Sequence, residues 1–375
     1  MSYKAEISRD NPSCFLFLVD QSKSMQDEIS IGEETQPVAK GVADSINRWL
    51  QELSIKCAKS EGVRDYYHVG VIGYGADVGP SFVGPIAGRE LIPISEIADN
   101  PARLDERTKM VPDGAGGLVE QSIRSPVWFD PIASGGTPMC RAAGEAKRVL
   151  ESWIAEHPDS FPPIVIHITD GEATDGNPTD QLNALTSLST SDGNAMLFNI
   201  HLSANPKATP VSFSDSPDDL PDSYSKMLFE TASPLTPSMR ALAKEHGFDT
   251  SEDSRCFVLN ADLVLLVQAI DIGTRPSNVQ MEGLVGEAEA VDEEPEELDA
   301  AAEDEGADDK KQEELDTAGE DEAADGEKPE ELDTAAEDKA ADGEEPEELD
   351  TAAEDTADDE EQAEPAWSGD GQNVR

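Results

Sequence analysis

Basic residues are the scarcest charged class in this chain: 27 Lys and Arg stand against 81 Asp and Glu, a formal net charge of −54 over 375 residues. A surface so short of positive charge argues against nucleic acid and anionic membranes as partners, because both are held by basic faces. Long apolar runs are also missing. No stretch approaches the roughly 18 to 20 apolar residues of a membrane span, and the opening "MSYKAEISRDNPS" has no apolar run after its lysine, so no signal peptide is expected. Cysteine is sparse. Cys14, Cys57, Cys140 and Cys256 lie far apart with no C-x-x-C pair, which points to free thiols in a reducing cytoplasm and away from a disulfide or zinc framework. Histidines are few, and His68, His167 and His201 fall inside apolar runs, where a core role is expected before a catalytic one. No G-x-x-x-x-G-K-[ST] loop or dinucleotide fingerprint occurs in context, so no phosphate cradle is read.

What is present is unevenly spread. Residues 287 to 375 hold 40 Asp and Glu against 5 Lys and Arg, leaving a body that carries −19. Within that stretch "EELD" recurs at 296 to 299, 313 to 316, 330 to 333 and 347 to 350, a constant interval of 17. One leucine per repeat cannot bury a core and dense like charge opposes compaction, so residues 276–375 are predicted to form a disordered acidic tail and not a solenoid. Thr317, Thr334 and Thr351 sit in acidic surroundings that suit an acidophilic kinase, and an "EELD" carboxylate is a candidate ligand for a site on the body in cis.

The body reads as α/β. Continuously apolar runs at 14 to 20, 68 to 75, 163 to 170, 195 to 203 and 255 to 261 do not alternate, as expected of strands buried on both faces of a parallel sheet. Helical spacing separates them. Val38, Val42, Ile46, Trp49, Leu50 and Leu53 form one stripe, further helices are predicted from Pro138 and over Thr179 to Leu188, and another is closed by Gly247. A last helix is predicted to start at an Asn260 cap and stop at Gly273. The expected architecture is a doubly wound, mostly parallel sheet with helices on both faces. It occupies residues 12–275 as one domain after an N-terminal extension, 1–11. Residues 76–135, rich in Gly and Pro, read as a loop-rich insertion with a hairpin and a small helix, and 204–223 as an exposed loop.

Two of the strands end on aspartate, Asp20 in "FLFLVDQSKSM" and Asp170 in "PIVIHITD". Strand carboxyl ends form the ligand-binding rim of open α/β sheets. Two carboxylates brought together there repel unless a cation lies between them. Ser22, Ser24 and Thr137, the last in "SGGTPM", complete an all-oxygen set suited to Mg²⁺ or Mn²⁺, less to Ca²⁺, and poorly to zinc. Asp27, Glu28 and Asp175 are candidate auxiliary ligands.

With "DQSKS", "GGTPM" and "ITDGEATDG" in that order, the sequence resembles the von Willebrand factor A (VWA) family, whose metal-ion-dependent adhesion site is written D-x-S-x-S, then T, then D. "GVRDYYHVGVIGYG", "PISEIADNP" and "PVWFDPIASGGTPMCRA" are similar to the bacterial cytoplasmic, TerY-like branch. The resemblance implies direct metal contacts from Ser22, Ser24 and Thr137, and contacts direct or through water from Asp20 and Asp170. It implies a non-enzymatic, cytoplasmic interaction module that captures a partner's Asp or Glu. Members of that branch are often associated with a Ser/Thr kinase or a PP2C-type phosphatase, in tellurite-resistance-like signalling. Two alternatives stay open: a metal-dependent hydrolase or phosphatase at the same rim, and a Ca²⁺-buffering acidic protein.

Overall fold

The computed structural model describes residues 3–31, 34–112, 118–205 and 207–274. The expectations for the acidic tail and its repeats fall outside the described residues. Five buried strands run parallel: β1 (Ser13–Asp20), β2 (Tyr67–Tyr74), β3 (Ile164–Thr169), β4 (Met196–Leu202) and β5 (Phe257–Ala261), in the order β5-β4-β3-β1-β2. Short antiparallel pieces at Val78–Pro80, Ile92–Pro93 and Val211–Ser212 pair with β2 and β5 and make the sheet mixed.

Seven helices accompany it among the described residues: α1 (Val38–Cys57), α2 (Ile94–Asp99), α3 (Met139–Glu156), α4 (Thr179–Thr186), α5 (Ser223–Thr231), α6 (Pro237–Glu245) and α7 (Leu263–Gly273). The alternation of β1 decides which helix packs where, since successive side chains leave opposite faces. Phe15, Phe17 and Val19 join the core under α1 and α7, while Cys14, Leu16 and Leu18 join the one under α3 and α4. Each fully buried Phe or Leu contributes about 1.5–3 kcal/mol, so a strand apolar on both faces is pinned from both sides and its end at Asp20 is fixed in place. This is the doubly wound α/β arrangement expected from the sequence.

Two local expectations need correction. Asn260 does not cap α7; it lies within β5, in the left-handed region at φ 55°, and Asp262 is the cap, its Oδ1 accepting from the Leu265 N–H at 2.8 Å. The helix does stop at Gly273, as expected. This glycine is the last helical residue of α7, where a Cβ would approach Phe198 Cδ2 to 2.8 Å, so close packing explains it. The stretch 204–223 is not all exposed loop: Val211–Ser212 extends the sheet and Phe213 is buried edge-on to Phe198.

Regular structure also fills more of 76–135 than its Gly and Pro content suggests. Arg103–Pro112 and Leu118–Val127 form a hairpin of two ten-residue strands. Its base is held to α1 by Asn47, whose Oδ1 accepts from the N–H groups of Trp128 and Phe129 and whose Nδ2 donates to the Phe129 carbonyl. The four cysteines are free thiols, and no described helix is long and apolar enough to cross a membrane.

Candidate metal centre

The loops that leave β1 and β3 and the loop that enters α3 meet at one end of the sheet, tied by backbone hydrogen bonds. Gln21 N–H donates to the Tyr74 carbonyl, Ser134 N–H to the Gln21 carbonyl and Lys23 N–H to the Gly135 carbonyl. Gly75 and Gly135 permit this approach. A Cβ on Gly75 would lie 2.4 Å from the Gln21 carbonyl oxygen, and one on Gly135, at φ 81°, 2.4 Å from Ala76 N.

On this frame Asp20 is buried and held through both oxygens. Oδ1 accepts from Ser22 N–H and Oδ2 from Thr169 Oγ1, each at 2.8 Å. The Ser22 and Ser24 hydroxyls lie 3.0 Å apart, and Ser24 Oγ donates to Asp170 Oδ1 at 2.8 Å. The chain Ser22, Ser24, Asp170 therefore joins the first and third loops. Thr137 reaches the same rim through its backbone: its N–H donates to Thr174 Oγ1 and its carbonyl accepts from Thr174 N–H, both at 2.9 Å. Its hydroxyl is 5% exposed as a residue and makes no hydrogen bond among the described residues. Burial grades outward, with Asp20, Ser22 and Thr137 inside, Asp170 half-buried and Ser24 exposed.

Both carboxyls are held above the usual carboxylate range. Burial pushes the Asp20 carboxyl up to about 6, and Asp170 adds to this by like charge. Asp170 is also raised, by burial first and then by Asp27. Among the described residues no Lys or Arg offsets either. No three His, Cys, Asp or Glu side chains among the described residues converge as ligands would, so any cradle here depends on the hydroxyls. Two carboxylates that no Lys or Arg offsets among the described residues, with three hydroxyls beside them, make an all-oxygen donor set that fits a small hard divalent cation.

Auxiliary residues fall differently from expectation. Asp175 turns both oxygens to the start of α3, accepting from the N–H groups of Cys140 and Arg141 at 3.0 Å. Asp27 acts on Asp170 through space, while Glu28 opens a short strand opposite Pro37. Three participants were not singled out in the sequence. Thr169 orients Asp20, Thr174 holds Thr137, and the Tyr224 hydroxyl donates to the Gly171 carbonyl beside Asp170. The threonines flank the "ITDGEATDG" aspartates and were within reach of a reading that asked what orients each carboxylate. Tyr224, on α5, leaves no local signal.

These features define a class: a doubly wound α/β protein whose sheet rim carries two carboxylates and three hydroxyls from three loops. No family model matches the chain, and no curated protein matches it. Solved structures to which it is similar include the vWF domain of the type V pili tip protein Mfa5 from Porphyromonas gingivalis, at 15% identity and TM-score 0.23, covering 44% of this chain and 39% of that one. Others are proximal thread matrix protein 1 from the mussel byssus (15%, TM-score 0.33, 72% and 49%) and the pilus adhesin RrgA from Streptococcus pneumoniae (13%, 0.23, 69% and 35%). The chain thus spans less than half the length of each of these three.

Proposed function

We propose that this protein is a non-enzymatic interaction module in which Asp20, Ser22, Ser24, Thr137 and Asp170 hold Mg²⁺ or Mn²⁺ and a carboxylate of a partner protein completes the site. The observation that carries the reading is the hydrogen-bonded line from Ser22 through Ser24 to Asp170, beside a buried Asp20 that has no counter-charge. When bound, the ion supplies an electrophilic centre that attracts an incoming carboxylate. Thr169 and the Ser22 N–H fix Asp20, the graded burial leaves the Ser24 and Asp170 side open, and Thr174 fixes Thr137. The sequence resemblance extends the proposal to a cytoplasmic setting and to a Ser/Thr kinase or PP2C-type phosphatase as partner, in a stress-response system of the tellurite-resistance-like kind.

Titration calorimetry of the full chain tests it. One stoichiometric Mg²⁺ or Mn²⁺ site is expected, lost in Asp20→Ala and Thr137→Ala with the circular dichroism spectrum retained. Many weak Ca²⁺ sites and no stoichiometric one would assign the protein to ion buffering. Robust phosphatase turnover abolished by Asp20→Ala would replace the module with a hydrolase. Partner capture that survives chelation in either variant ends the metal mechanism.

A further inference from the structure

Beneath the rim, the face of the sheet under α3 and α4 carries a row of polar side chains: Tyr74 on β2, His167 on β3 and Asn199 on β4, all fully buried. The Tyr74 hydroxyl lies 2.8 Å from His167 Nε2, and His167 Nδ1 lies 2.9 Å from Asn199 Oδ1. Asn199 Nδ2 donates to the Leu228 carbonyl at 2.7 Å and to Thr231 Oγ1 at 3.0 Å, both in the last turn of α5. That end fixes the direction of the row. A carbonyl only accepts, so Asn199 turns its amide nitrogen to α5 and its oxygen to His167; the imidazole then carries its proton on Nδ1, and Tyr74 donates to Nε2. Every donor in the row is used, and a shift of α5 breaks a buried bond that no other group replaces.

Both ends of the row belong to the candidate site. Tyr74 stands opposite Asp20 in the β1–β2 register, and its carbonyl accepts the Gln21 N–H at 2.7 Å. From the other end, the first turn of α5 returns to the rim, where the Tyr224 hydroxyl donates to the Gly171 carbonyl, next to Asp170. Asp20 is therefore joined to the last turn of α5 through Tyr74, His167 and Asn199, and Asp170 to the first turn through Gly171 and Tyr224. The helix between them is a short, stiff link of nine residues, started by the capping box of Asp222 and Ser225 and about 14 Å long. α2 offers a contrast: Ser95, Glu96 and Ile97 bond Asp65, Arg89 and Trp128, and none of these lies on the rim.

We propose that α5 is coupled to the candidate metal site: an ion at the rim holds α5 in its seat, and loosening α5 weakens the hold on the ion. This coupling rests on the metal-binding function proposed for the rim and adds to it the element that registers occupancy, with Tyr224 and Tyr74 as positioning residues. Linkage makes the coupling factor the same in both directions.

Hydrogen exchange of the full chain with and without Mg²⁺, read by mass spectrometry beside titration calorimetry, tests this. Peptides covering Ser223–Thr231 are expected to exchange about fivefold more slowly with Mg²⁺ bound, while those covering α2 keep their rate. Tyr224→Phe keeps the ring and removes the hydroxyl, and is expected to abolish the slowing and to weaken Mg²⁺ binding by about the same factor. Tyr74→Phe cuts the other tie. In the double variant the combined loss of affinity is expected to fall short of the product of the two, because the second cut acts on a helix already loosened. Mg²⁺ that occupies one stoichiometric site in the parent without slowing α5 overturns the coupling and leaves the metal function standing. So does slowing shared equally by α2, which is the global stabilisation any ligand gives. Losses that multiply in full in the double variant give each tyrosine a local role and overturn it too. A parent with no stoichiometric site removes the metal function and the coupling together.

Discussion

Replacing Asp175 with alanine separates a clamp from a ligand. Its carboxylate accepts two hydrogen bonds of 3.0 Å from the first turn of α3, the helix entered directly from Thr137. An acceptor at a helix start is worth about 1 kcal/mol, and negative charge at that end adds about 0.3–1 kcal/mol. Asp175 is exposed, so solvent screening favours the lower values and a loss of about 1.5 kcal/mol is expected for Asp175→Ala. For a domain of this size that lowers Tm by about 3–6 °C. Asp175→Asn keeps one carbonyl acceptor and loses about half as much.

Scanning calorimetry in chelator reads this term with no ion present. A companion Mn²⁺ titration is expected to show only a few-fold weakening, because the loosened element still presents Thr137. Were Asp175 a ligand, the pattern would invert: an unchanged Tm in chelator and a loss of Mn²⁺ affinity by orders of magnitude. That inverted pair refutes the clamp.

Three further substitutions follow from named contacts. Gly75→Ala places a Cβ against the carbonyl oxygens of Gln21 and Ser134, so metal affinity is expected to fall at least about tenfold with the far-ultraviolet spectrum unchanged; undiminished affinity in calorimetry counts against the three-loop frame. Asn47→Leu strands the buried N–H groups of Trp128 and Phe129 and the Phe129 carbonyl, and urea unfolding should register a loss of about 3–5 kcal/mol, a value below about 1 kcal/mol contradicting the anchor. His167 is buried between Tyr74 and Asn199, and burial pushes it down to about 4. The unfolded chain takes this proton first, near pH 6.5, so stability is fully present above that and falls by about 3 kcal/mol as pH drops to 4. Burial pushes His201 down to about 4 as well, so His167→Gln should remove about half of the fall in urea-derived stability between pH 6.5 and 4, and an unaltered slope would show that His167 does not titrate there.

The five parallel strands and the rim aspartates were legible because their signals are local. A continuous apolar run such as "CFLFLVD" states its own burial, and an aspartate closing it states its own position at the sheet's end. What was misread depends on partners distant in sequence. Phe213 sits in a stretch of Asp, Ser and Pro, and its burial is decided by Phe198 and Phe248. The hairpin expected within 76–135 proves longer than its Gly and Pro content suggests, and Asn47 holds its base from a helix more than 50 residues earlier. The candidate site residues were proposed from spacing, and Thr169 and Thr174 stand beside them in "ITDGEATDG", but their partners Asp20 and Thr137 come from other loops and are assigned only by the fold.

Charge adds a constraint on the partner that the rim chemistry alone does not. The body carries −19 and the chain −54, so a carboxylate on an acidic surface is repelled once it comes within roughly 10 Å, the screening length at 0.1 M salt. A single bound divalent ion acts only at short range and cannot reverse that field. The partner's carboxylate is therefore expected to be an isolated acid on a basic face, drawn in by the field of this protein and captured at the rim. Association measured by stopped flow should slow as salt rises from about 50 to 200 mM, as for other steered encounters, while chelator abolishes stable capture at every salt concentration. Association that accelerates with added salt would mean the partner's face is acidic, and would refute steering as the route to this site.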